Sequence, residues 1–134
     1  MVEEQEVREE INRFCSEMSH RQVRAVILFG SRARGNDMEN SDVDLCLIAD
    51  GLPQNVLKRR YPAPLGYKFL SVLGFHPDEF ITMLKDANPL ILDIVSYGKI
   101  VYDNGFFKQV EGLFPQVIKK YGLERQERGW SWKH

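Results

Sequence analysis

The chain reads as an α/β (α+β) fold: a small mixed β-sheet of about four strands flanked by helices. Three observations predict it. Two apolar, β-branched runs of strand length, at 23–29 and 41–48, sit among segments whose apolar residues recur at helical spacing. About a dozen residues join those two runs, few enough for the strands to lie side by side and antiparallel. The 134 residues, 43% apolar and 28% charged, suffice for one hydrophobic core, so residues 1–134 are expected as a single domain.

Each element has a local reason. Residues 3–20 are expected as an amphipathic helix, with Val7, Ile11, Phe14, Cys15 and Met18 on one face. Glutamates crowd its first turns, where the helix dipole favours negative charge. The strand at 23–29 ends at Gly30-Ser31, and Ser31 can cap a short helix over Arg32 to Arg34. Gly35-Asn36-Asp37 and Glu39-Asn40 carry turn chemistry, and the second strand then runs from Ser41 to Ile48. Pro53 to Arg60 fits a short helix with its proline in the first turn, and Tyr61 to Gly66 a connecting loop. Tyr67 to Leu73 follows as a third strand. His76-Pro77-Asp78-Glu79 opens a helix, Asn88-Pro89 precedes another over 90–96, and Gly98 breaks that one before a short strand, Lys99 to Tyr102. Phe106 to Tyr121 is the last helix, with Pro115 as a potential kink. Residues 122–134 are charged and weakly patterned, and are expected as a loosely packed tail.

Bulk properties exclude several function classes. A formal net charge of −1 gives no global attraction to nucleic acid or anionic membrane. No apolar run approaches the ~20 residues of a membrane span, and the acidic amino terminus does not resemble a leader. Cys15 and Cys46 fall on apolar faces, where free cysteine acts as a small hydrophobe. The expectation is therefore a cytoplasmic protein. His20 and His76 lie at element boundaries with no zinc-motif spacing, and Lys58-Arg59-Arg60 reads as a solvated helix end. Tyr61, Tyr67, Trp130 and Trp132 either face a partner or pack back on their own domain. Oligomeric state cannot be read, and a homo-oligomer stays open.

The chemistry concentrates in Val26-Ile27-Leu28-Phe29-Gly30-Ser31-Arg32-Ala33-Arg34-Gly35 and Ser41-Asp42-Val43-Asp44-Leu45. In a strand, Asp42 and Asp44 share a face, about 7 Å apart along the backbone. They supply hard oxygen ligands of the kind Mg²⁺ prefers. Gly30 lets a ligand approach the backbone, and Ser31 at a helix start offers amide and hydroxyl donors to phosphate. Arg32 and Arg34 add charge and a bidentate grip on phosphate oxygens. The bland alternative, an acidic pair capping nearby backbone, leaves the glycine-serine bend unexplained. Metal-dependent chemistry on a nucleoside triphosphate accounts for both halves of the pattern.

Gly30-Ser31-x-x-x-Gly35 followed by Ser41-Asp42-x-Asp44-Leu45 resembles the signature of the DNA polymerase β-like nucleotidyltransferase superfamily. The wording Gly-Ser-Arg-Ala-Arg-Gly looks most like its minimal nucleotidyltransferase branch, and Ile94 to Asp103 resembles that branch's closing strand. The resemblance implies the nucleotidyltransferase fold. It also implies Gly30, Ser31, Arg32, Arg34 and Ser41 as nucleotide contacts, and Asp42 and Asp44 as catalytic ligands of Mg²⁺, in a two-metal site if a further ligand exists. The implied reaction moves a nucleoside monophosphate, AMP from ATP, to a protein acceptor, as the antitoxin of a toxin–antitoxin pair whose partner is a HEPN-domain protein. The pattern has a third carboxylate on a later strand, and here its place falls near Ser71, in a strand with no acid. Asp93 is the next candidate, on a predicted helix. That gap supports a competing reading, a catalytically weakened nucleotide-binding or partner-binding module. Small-molecule nucleotidylation, as in aminoglycoside-modifying relatives, is disfavoured because those proteins carry extra domains.

Overall fold

A computed structural model describes residues 4–30, 43–55, 60–62, 67, 69–126 and 129–132. The elements run α1 (Glu4–Glu17), a 3-10 turn (Ser19–Arg21), β1 (Val23–Phe29), β2 (Val43–Ala49), β3 (Arg60–Pro62), β4 (Leu70–Phe75), α2 (Pro77–Lys85), α3 (Pro89–Tyr97), β5 (Lys99–Asp103), α4 (Phe106–Tyr121), β6 (Leu123–Gln126) and β7 (Gly129–Trp132). The first five strands make one mixed sheet in the order β3-β4-β2-β1-β5, and β6-β7 form a separate two-stranded sheet. The mixed α/β fold expected from the sequence is present, with the three-residue β3 added at one edge.

The pleat sorts the core into two layers. Val26, Leu45, Leu47 and Val72 meet Val7, Ile11 and Phe14 of α1 on one face. Ala25, Ile27, Cys46 and Ile48 meet Phe80 and Leu84 of α2, Ile91 and Ile94 of α3, and Val110 and Val117 of α4 on the other. β2 is buried on both faces, which explains its continuous apolar run. β1 pairs antiparallel with β2 and with β5, whereas β2 and β4 are parallel.

Helix starts follow the sequence signals. The Asn88 side chain accepts hydrogen bonds from the Leu90 and Ile91 amides at 2.9 and 3.3 Å, and Pro89 occupies the first turn of α3. At α2, Glu79 accepts from the His76 amide at 3.2 Å. His76 Nε2 donates to the Leu52 carbonyl at 2.8 Å, so this histidine ties the exit of β2 to the start of α2. His20 is an exposed member of the 3-10 turn.

Several expectations are corrected. Pro53–Asn55 is not helical and Arg60 opens β3; residues 56–59, including Lys58 and Arg59, lie outside the described residues. Part of the expected loop, Tyr61-Pro62, pairs instead with Val72 and Ser71 of β4, where a proline is tolerated because the strand is at the edge. The third strand begins at Leu70 and reaches Phe75 because its span is set by pairing with Val43 to Ile48 of β2. The stretch expected as a loose tail forms the β6-β7 hairpin, with Leu123 buried against the α2–α4 core. Trp130 packs edge-on to Phe114 at 6.3 Å and donates its Nε1–H to Asp93 at 3.2 Å, so it serves its own domain. Tyr67 does likewise against Phe14, beneath the Arg13 guanidinium. The side chains of Tyr61 and Trp132 lie outside the described residues.

Candidate functional site

The site is positioned by strand register. Antiparallel pairing sets Phe29 of β1 opposite Asp44 of β2, and parallel pairing sets Asp44 opposite Ser71 of β4. Phe29, Asp44 and Ser71 therefore form a row across three neighbouring strands, on the face that carries Ile27, Cys46 and Leu73. The row lies at the end of the sheet where β1 leaves it and β2 and β4 begin. Asp44 and Ser71 are half-buried at this rim, while Val43 and Leu45, on the opposite face, are fully buried.

Gly30 follows directly and turns the chain with φ +81°, in the left-handed region. A Cβ at this position would collide with Asp44 Oδ2, and would sit 3.3 Å from its Cγ. The bare backbone of the bend thus lies against the carboxylate. Only glycine satisfies both the torsion and the approach, and the result is a close contact between the main chain of the bend and the carboxylate.

The structure brings together two of the sequence-derived site residues, Gly30 and Asp44. Ser31, Arg32, Arg34, Ser41 and Asp42 lie outside the described residues. Ser71, the position matched to a third carboxylate, stands directly beside Asp44, and β4 holds no acid at any of its positions. Asp93 is engaged elsewhere: it accepts from Trp130 and pairs with Arg125 at 3.6 Å, so it anchors the β6-β7 hairpin. Asp78 and Glu79 belong to the first turn of α2. Among the described residues no group of three or more His, Cys, Asp or Glu side chains is arranged to hold a metal.

Other polar features lie away from this rim. Arg24 and Asp50 pair at 2.6 Å at the opposite ends of β1 and β2, beside an open cleft of about 370 Å³ that also takes in Asp78 and Lys85. Both side chains are more than a third exposed, so the pair adds little stability. Cys46 is enclosed in the core and its thiol is pushed far above the usual range by burial; Cys15 is raised in the same direction. Burial thus works against the reactive thiolate at both positions. Among the described residues no helix is long and apolar enough to cross a membrane.

Comparison with known proteins bears on the family and the fold. Residues 9–105 match the family described as polymerase beta, nucleotidyltransferase. A candidate protein adenylyltransferase of Methanocaldococcus jannaschii is 35% identical over 103 residues, which span 72% of this chain and 70% of that protein. In a crystal structure of a toxin–antitoxin with AMP-PNP, one chain shares the fold at a TM-score of 0.52 and 18% identity, over 82% of this chain and 85% of that one.

Proposed function

The chain belongs to the polymerase β nucleotidyltransferase family, in its minimal branch, and from that footing we propose that it transfers the adenylyl group of ATP, with Mg²⁺, to a hydroxyl on a partner protein. The observation that carries the reading is the side-chain-free bend at Gly30 set against the Asp44 carboxylate at the strand exit. A main-chain bend free of side chain beside a half-buried carboxylate suits a phosphate chain and a hard cation together, and each is poorly matched to an ordinary structural turn.

Asp44, with Asp42 ahead of it, would hold Mg²⁺, which would supply neutralisation of charge on the departing pyrophosphate. Gly30 keeps the phosphates close to the strand exit, and Ser31, Arg32, Arg34 and Ser41 supply the remaining polar contacts from the segment between the strands. The acceptor oxygen forms its bond to the α-phosphorus as the bond to the bridging oxygen breaks, and the acceptor proton passes to solvent. Support for a protein acceptor comes from the 35% identical relative described as a candidate protein adenylyltransferase. A HEPN-type protein as acceptor, with this chain as its antitoxin in the cytoplasm, is the part of the proposal that rests on the resemblance of the Gly-Ser-Arg-Ala-Arg-Gly stretch to the minimal nucleotidyltransferase branch.

Incubation with labelled ATP, Mg²⁺ and a HEPN-type protein encoded beside it tests the reading. Label is expected on the partner and is expected to vanish with Asp44→Asn. Equal labelling by the variant would rule this site out. Ser71 favours a second reading, because a hydroxyl stands where a base for the acceptor would be useful. On that reading the chain binds MgATP and its partner but turns over poorly. Calorimetric affinity for MgATP without label on the partner would select it.

A further inference from the structure

We propose that the β5 edge of the sheet is a self-association surface, at which a second copy of this chain adds its own β5 antiparallel to make one continuous sheet. The inference does not depend on the proposed activity. Its first support is the location of exposed apolar area. The large hydrophobic side chains that are exposed among the described residues are Leu90, Tyr97, Ile100, Val101 and Tyr102, all within α3 and β5. Ile100 and Tyr102 are each 46% exposed, and every residue of β5 is exposed. Scattered apolar residues need no explanation, but a single contiguous segment does.

The two edges of the sheet are also treated differently. The β3 edge is three residues long and ends in Pro62, which cannot donate to an added strand. The β5 edge has five residues, no proline, and no charge between its end residues. Its one irregularity is a bulge at Val101, where the register with β1 slips. The slip sets Ile100 beside Ile27 of one core layer and Tyr102 beside Val26 of the other, so the edge carries an apolar side chain on both faces. A short proline-ended edge on one side and a longer edge with an apolar centre on the other favour a closed pair of chains over a fibre.

Charge identifies the occupant as a second copy. β5 reads Lys99-Ile100-Val101-Tyr102-Asp103, positive at its start and negative at its end. Two antiparallel copies bring the lysine end of each strand to the aspartate end of the other, with the apolar residues between. Asp103 keeps its capping task meanwhile, because it is Oδ1 that accepts from the Gly105 and Phe107 amides. A net charge of −1 per chain adds almost no repulsion between copies. Tyr102 further lines a cavity of about 160 Å³ with Cys15, Ser19, Val23 and Val26, a socket beside the edge for an apolar side chain of the incoming copy.

Sedimentation equilibrium of the full chain over a range of concentrations tests the proposal. A reversible dimer is expected. Val101→Lys and, separately, Lys99→Glu are expected to weaken self-association by about tenfold or more. Both positions are exposed, so at concentrations low enough for the parent to be monomeric the melting temperature and far-UV circular dichroism of each variant should match the parent and show that the fold is kept. A parent chain that stays monomeric at its highest soluble concentration overturns the proposal. Variants that dimerise as tightly as the parent overturn it too. Because the readout is mass rather than nucleotide transfer, failure here is distinct from failure of the adenylyl-transfer reading.

Discussion

At the scale of single residues, Gly30 and Asp44 act as a pair, and the pair can be measured. Gly30→Ala forces a Cβ into a φ of +81° and against the Asp44 carboxylate. The torsion alone costs about 1–2 kcal/mol, and displacement of the carboxylate adds to it. Urea denaturation should therefore show a loss of about 2 kcal/mol, together with loss of MgATP binding. In an Asp44→Ala background the collision is gone and only the torsional cost remains. The two substitutions should then be coupled by about 1 kcal/mol in a double-mutant cycle; strict additivity would show that the two residues do not meet. Ser71 supports a second measurement. Ser71→Asp sets two carboxylates directly opposite each other in parallel strands, a like-charge pairing that costs up to about 1 kcal/mol. The melting temperature should fall in EDTA and recover in Mg²⁺, by more than the parent chain recovers. An equal response in both proteins would place the cation elsewhere. The sequence already pointed to Gly30 and Asp44, because strand pleat and turn chemistry are local, while the empty place at Ser71 came from the resemblance to the family's pattern. It gave no warning that Asp93 serves the hairpin, since that role depends on Trp130 and Arg125, more than thirty positions away in the chain.

At the scale of elements, legibility follows how much of each element's stability is local. β1 and α4 occupy the spans their periodicity predicts, Val23–Phe29 and Phe106–Tyr121. α3 begins where Asn88-Pro89 says it should, because cap and proline act within one turn. That makes it a clean test: Asn88→Ala removes the acceptor for two amides and should cost about 1 kcal/mol with little change in m-value. A loss below a few tenths would mean water replaces the cap. β3 was not legible, since a three-residue edge strand exists only by pairing with β4. The true start of β4 was hidden for a similar reason. The Phe69 amide is claimed by the Glu10 carboxylate of α1 at 2.8 Å, and its carbonyl accepts from the Val43 amide, so a helix far away in sequence fixes where the strand enters the sheet.

At the scale of the whole molecule, the open point is whether the β6-β7 hairpin melts with the domain or before it. Its sequence carries almost no strand signal, and a lone two-stranded hairpin is marginal in water. Its order must therefore come from docking: Leu123 is buried in the α2–α4 layer, Trp130 lies against Phe114, and Arg125 spans Asp93 and the Tyr97 and Trp130 rings. Both tryptophans of the chain, Trp130 and Trp132, fall in β7. Tryptophan fluorescence is thus a probe of the hairpin, while far-UV circular dichroism is dominated by the helices and the main sheet. If docking contacts hold the hairpin, the two signals should trace a single urea transition with one midpoint. Trp130→Phe, which keeps a ring against Phe114 but loses the donor to Asp93, should lower that common midpoint by about 1 kcal/mol in stability. An earlier fluorescence midpoint in the parent chain would mean that the hairpin opens as its own unit. The contacts through Asp93 and Phe114 would then be too weak to couple it to the sheet.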